Sequence, residues 1–169
     1  TVEVERCMRV LDGAVLVLGA VMGVQAQSEA VWRQMRRHRV PYFVFVNKLD
    51  RRVADYERAI ADLERRFSCR ALPVSWPIRD AKGELIHCID LLASFAEAGG
   101  DPVVASVERE KVFARLGEVD DSVLACFVEG RHPGRVHLRD ALRRATMRRR
   151  LVPVFCGSAL HGIGVDALL

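Results

Sequence analysis

Apolar and polar positions along the chain fall into two alternating kinds of segment. Ala14 to Leu18 is a continuous apolar run with no polar alternation, the pattern of a strand buried on both faces of a parallel sheet. Tyr42 to Val46 repeats it after Pro41, and Leu151 to Phe155 repeats it again near the end of the chain. Between the first two runs, residues 28–37 carry Ala30, Val31, Gln34 and Met35 at helical spacing. Residues 54–67 place Tyr56, Ile60, Leu63 and Phe67 on one helical face. Residues 1–9 read as the end of a helix, broken by Asp12-Gly13. Residues 72–78 read as one extended segment, because Pro73 and Pro77 keep it out of a helix.

Strand, helix, strand, helix, strand over residues 1–78 predicts a doubly wound α/β sheet with right-handed crossovers. The pattern then changes. Ala81-Lys82-Gly83 is a turn, residues 84–89 a short strand, and Gly99-Gly100-Asp101-Pro102 a loop or linker. Helical stretches follow near 103–115, 119–129 and 136–148, and a further helix is expected from Val165 onward. The division expected is therefore one sheet domain, residues 1–78 with 151–169, interrupted by a mainly helical insertion, residues 79–150.

Composition narrows the class. The chain has 169 residues, 50% of them hydrophobic and 28% charged, so it has ample apolar surface to fold as a globular domain. The longest apolar run, Gly13 to Val24, is too short to span a bilayer, and no signal-peptide pattern opens the chain, so no membrane partner and a cytoplasmic setting are expected. The five cysteines, at 7, 69, 88, 126 and 156, form no CxxC pair and read as buried free thiols in a reducing compartment. With the histidines equally scattered, no metal site is expected.

Net charge is +4, unevenly spread. Residues 131–150 hold eight arginines against the single acid Asp140, while residues 101–129 are acidic. Such a basic block is either a solvated helix face or a surface for a polyanion. It has no interleaved aromatics to stack bases. Arg33, Arg36, Arg37 and Arg39 read as solvated helix residues, and Trp32 and Trp76 as packing residues.

The candidate chemistry lies at two strand ends. Asn47-Lys48-Leu49-Asp50 follows the second apolar run, at the carboxyl edge where open α/β sheets bind ligands. In an NKxD tetrad the aspartate can accept from the ring N–H and the exocyclic amine of guanine, a pairing adenine cannot offer. Gly157-Ser158-Ala159 follows the last run and can present a backbone N–H to the guanine carbonyl. Its bland alternative is a helix entry capped by Ser158.

With these loops in place, the chain resembles the G domain of the elongation factor G type of translational GTPase. The matching words include Arg9-Val10-Leu11-Asp12-Gly13-Ala14-Val15, Val31-Trp32-Arg33-Gln34, Val46-Asn47-Lys48-Leu49-Asp50-Arg51 and Pro153-Val154-Phe155-Cys156-Gly157-Ser158-Ala159. The resemblance implies a P-loop-NTPase-like fold, present here as an incomplete sheet. It implies guanine contacts from Asn47, Lys48, Asp50, Ser158 and Ala159, with GTP or GDP as ligand through the base alone. It also implies a ribosomal partner reached through the insertion, which in the family faces the large-subunit stalk, and no DNA partner. The 108 positions between Asp50 and Ser158 leave room for such an insertion. Gly19 and Ala26 depart from the family's usual acidic residue and proline.

No GxxxxGK[ST] occurs in the sequence, so no residue is expected to cradle phosphates or hold Mg, which the resemblance assigns to a full-length parent. The chain reads as a segment beginning after that part of the domain, and is not expected to hydrolyse GTP by itself. Two functions follow as expectations: the guanine-specificity half of a ribosome-dependent GTPase, or a non-enzymatic ribosome-binding module, or divergent paralogue, that lost its nucleotide chemistry.

Overall fold

The structure is a computed structural model that describes residues 2–93 and 102–168. The expected linker at 99–102 falls almost wholly outside the described residues. Strands β1 (Ala14–Gly19), β2 (Tyr42–Asn47), β6 (Val152–Cys156) and β3 (Ala71–Pro73) form one sheet in that spatial order. Every pairing in it is parallel: Ala14 lies opposite Tyr42, Val44 opposite Val154, and Ala71 opposite Val152. Helices α2 (Ala26–Arg37) and α3 (Tyr56–Phe67) make the crossovers that parallel strands require. Helix α1 (Val2–Met8) packs beside α2.

The expected extended segment at 72–78 is two strands, not one. β3 ends at Pro73, and β4 (Ser75–Arg79) turns away to pair antiparallel with β5 (Leu85–Asp90). The division falls at Val74, whose N–H donates to the Val154 carbonyl at 2.9 Å while its carbonyl accepts from Leu91 N at 3.0 Å. One residue thus belongs to both sheets. After β5 come α4 (Pro102–Gly117), α5 (Asp121–Val128) and α6 (Arg135–Met147), before β6 returns to the main sheet.

Buried side chains gather in two clusters. The first lies between the sheet and α2 and α3, around Leu16, Leu18, Val44, Val46, Leu63 and Phe67. The second joins Leu72, Val74 and Leu151 to Val112, Leu116, Leu138 and Ala141 of the helical segment. Tyr56 binds the small sheet to the large one: its hydroxyl donates to the Ser75 carbonyl at 3.0 Å, and its ring meets Trp76 edge-on at 5.4 Å. Trp32 stacks on Phe67 at 4.5 Å, so both tryptophans pack as the sequence suggested.

Three local expectations need correction. β1 is not buried on both faces. Leu16 and Leu18 enter the first cluster, but Val15 and Val17 are 47% and 56% exposed. An unbroken apolar run does not distinguish a covered face from an open one, and β1 is an edge strand of this sheet. The stretch from Val165 makes turns through Leu168 rather than a helix, with one i→i+3 bond from Leu168 N to Val165 O. Finally, all five cysteines are free thiols, but only Cys126 and Cys156 are buried.

Candidate guanine-recognition site

The parallel register sets where the site lies. Gly19 and Asn47 end β1 and β2 side by side, and Cys156 ends β6 opposite Val46, one position before Asn47. The loops after β2 and β6 therefore leave the same edge of the sheet. Leu49 is fully buried and anchors the first loop, while its N–H donates to the Gly157 carbonyl at 3.1 Å. Gly157 N returns a bond to the Val46 carbonyl at 3.0 Å.

Asn47 couples the loops through its side chain. Its Oδ1 accepts from Lys48 N at 2.7 Å and from Ala159 N at 3.0 Å. The first bond supports the left-handed conformation of Lys48, at φ 65°, a region that costs a non-glycine residue energy and that local polar contacts offset. Lys48 is exposed, on the rim of a 580 Å³ cavity also lined by Gly19, Asn47 and Arg51. Asp50 and Ser158 do not line that cavity.

Asp50 is prepared to accept hydrogen bonds. The Ser158 hydroxyl lies toward its carboxylate and is the main influence holding its pKa below the ordinary value; burial opposes this, and His161 and Arg51 assist. The Ser158 hydroxyl, fully buried, completes no hydrogen bond of normal geometry among the described residues. A buried polar atom without a partner is costly, and here it adjoins an ionised carboxylate.

The turn after β6 is closed by backbone proximity. Ser158 and Ile163 exchange backbone hydrogen bonds at 3.0 Å each. A Cβ on Gly157 would fall 2.0 Å from the Ile163 carbonyl oxygen, so only glycine fits there. Ala159, which opens a short 3-10 turn to His161, is exposed with its N–H already held by Asn47.

One supporting residue carries no sequence signal. Arg79, on β4, donates to the Leu49 carbonyl at 2.8 Å, to the Ala54 carbonyl at 3.4 Å and to the Gly83 carbonyl at 2.7 Å. Its partners are all backbone carbonyls, so no motif flags it. All five sequence-selected residues, Asn47, Lys48, Asp50, Ser158 and Ala159, stand on these two coupled loops. Among the described residues, no three His, Cys, Asp or Glu side chains gather as metal ligands, and no helix is long and apolar enough to cross a membrane.

The sequence pattern of the family described as the elongation factor Tu GTP binding domain matches residues 1–169. The chain belongs to this family. Among curated GTP-binding-domain relatives, elongation factor G 2 of Syntrophus aciditrophicus (strain SB) is 38% identical over 185 residues, covering 100% of this chain and 27% of its own length. Elongation factor G of Fervidobacterium nodosum is 38% identical over 184 residues, covering 100% of this chain and 26% of its own. A crystal structure of a Thermus thermophilus protein superposes with a TM-score of 0.83 at 27% identity, covering 98% of this chain and 26% of that one. The chain thus spans about a quarter of the length of the relatives it matches. The mixed α/β architecture around a parallel sheet is that of this GTP-binding-domain family.

Proposed function

We propose that this GTP-binding-domain chain reads the guanine base for a translational GTPase of the elongation factor G type. The observation that carries the reading is the Asn47 side chain, whose Oδ1 holds the N–H groups of both Lys48 and Ala159 and so sets the two loops as one surface. On that surface Asp50 accepts from the ring N–H and the exocyclic amine of guanine. Its carboxylate is an ionised acceptor at neutral pH, and the neighbouring Ser158 hydroxyl favours that charged form further. The exposed Lys48 stem lies along the base and ribose. Ser158 supports the Asp50 carboxylate, and the 158–159 backbone borders the base carbonyl.

Adenine presents one acceptor and no ring donor to Asp50, leaving the carboxylate unpaired, and a site built on polar pairing rejects such a ligand strongly. This sequence has no GxxxxGK[ST] to cradle the phosphates of a nucleotide held by these loops or to place Mg beside them, so hydrolysis has no step among the loop residues. Residues 79–150 are proposed as an inserted unit that meets the ribosomal stalk, in a cytoplasmic setting. The second buried cluster supports that unit, although Leu72, Val74 and Leu151 from the sheet side complete it.

Calorimetric titration with guanosine, GDP and adenosine tests the reading. Weak binding of guanosine and GDP with similar affinity, and none of adenosine, is expected. A well-folded chain that binds none of the three overturns it.

A further inference from the structure

At the opposite end of the sheet from the guanine loops, a 380 Å³ cavity is lined by Arg36, Arg70, Arg148, Arg149 and Arg150, and by no carboxylate. It sits at the starts of β2 and β6, where Tyr42 and Val152 help to line it, whereas Asn47 and Cys156 end those strands. Three of the five guanidinium groups, on Arg36, Arg148 and Arg149, have no carboxylate within 4.0 Å among the described residues. Arg70 shares a 3.3 Å exposed pair with Glu118, and Arg150 donates to the Val119 carbonyl at 3.3 Å.

The backbone supplies a second, independent observation. Arg149 occupies the left-handed region, φ 56°, at the end of α6, the position where helices commonly place glycine. A non-glycine residue there is strained, and strain of this kind points toward a site when it coincides with chemistry. Here the strained residue is one of the unpaired arginines on the cavity wall.

The wall also says what the cavity does not read. Trp32, Tyr42 and Phe67 are its aromatic residues; Phe67 stacks on the Trp32 ring at 4.5 Å, and the Arg36 guanidinium lies over that ring at 5.4 Å. The indole N–H is held by the Tyr42 hydroxyl at 3.0 Å. No face of Trp32 and no indole donor remain for a base. What remains is planar, fork-shaped positive charge, which matches phosphate oxygens.

We infer that this arginine cavity is a phosphate-binding site, one that takes the phosphate groups of a polyanion without reading bases. Two sources carry that chemistry: a nucleic-acid backbone and a free oligophosphate. The site is independent of the guanine reading, since it shares no residue with the guanine loops.

The test is fluorescence anisotropy of a labelled mixed-sequence RNA decamer on the full chain. Raising salt from ~50 to ~200 mM should weaken binding roughly 20-fold if about three phosphates are neutralised on a single strand. The triple variant Arg36→Ala/Arg148→Ala/Arg149→Gly should weaken it at least about tenfold at low salt. Arg149→Gly relieves the left-handed strain, so the melting temperature of the triple variant reports separately on folding. The control variant Arg9→Ala/Arg139→Ala/Arg143→Ala removes as much exposed charge from outside the cavity and should leave affinity within about twofold. Tripolyphosphate should displace the RNA. Tighter binding of tripolyphosphate than of RNA assigns the site to free oligophosphates, and the reverse to a backbone. Equal losses in both variants, an unchanged affinity of the cavity variant, or no displacement by tripolyphosphate overturns the proposal.

Discussion

Arg79 and Leu49 are 30 positions apart in sequence, yet the Arg79 guanidinium donates to the Leu49 carbonyl at 2.8 Å. A residue of the β4–β5 hairpin thereby fixes the backbone of the NKxD loop from behind. The same guanidinium reaches Gly83, across the hairpin turn, so loop and hairpin share one clamp. Arg79→Ala should leave the secondary structure intact by circular dichroism. It should weaken guanosine binding by about tenfold or more, since a hydrogen bond from a charged donor is worth about 1.5–3 kcal/mol. Arg79→Lys, with a point charge in place of a fork, should recover only part of the loss.

Asn47→Ala should act on both loops together. It leaves the N–H groups of Lys48 and Ala159 without their shared acceptor. The expected cost is about 1–3 kcal/mol of stability from these groups, measured by urea unfolding. Gly157→Ala should be worse, because the added Cβ meets a backbone carbonyl oxygen at 2.0 Å and not a movable side chain. Differential hydrogen exchange should place the loosening at residues 157–164 in that variant.

Acid should loosen the helical segment before the sheet. Asp120 caps α5 and accepts two bonds from the Arg144 guanidinium of α6, at 2.9 and 3.1 Å. The Arg144 hydrogen bonds hold its pKa down to about 2, from an ordinary value of 3.8. A folded-state pKa below the unfolded one contributes stability above pH 3.8, and that contribution disappears as pH falls toward 2. The wild-type chain should therefore lose up to about 2 kcal/mol between about pH 5 and pH 2 from this pair. Asp120→Asn should begin lower at neutral pH and show a flatter acid limb in urea titrations at each pH.

Much of this was legible in the sequence, for a physical reason. The runs at 14–18, 42–46 and 151–155 are apolar because each of these parallel strands buries at least one face in the core, and the helices between them carry apolar faces at helical spacing. Loops at the carboxyl ends of such strands must lie together, so Asn47 and Ser158 could be paired although they are 111 positions apart. Other features left no trace. The apolar run of β1 hides that Val15 and Val17 face outward, since apolarity does not reveal what covers it. Pro73 and Pro77 marked extension without marking Val74, where the chain changes sheets. Arg79 and Arg149 act through backbone carbonyls and a backbone angle, neither of which has a residue pattern.

The central claim is that Asp50 selects guanine, and exchanging its chemistry tests this most directly. Asp50→Asn replaces one acceptor oxygen with an amide donor, so it should lose guanosine and gain xanthosine, whose carbonyl stands where guanine has its amine. Parallel calorimetric titrations of both proteins with both nucleosides measure the exchange. The account predicts guanosine alone for the wild-type chain and a preference for xanthosine in the variant. Equal affinity of the two proteins for guanosine, with no gain for xanthosine, would contradict it.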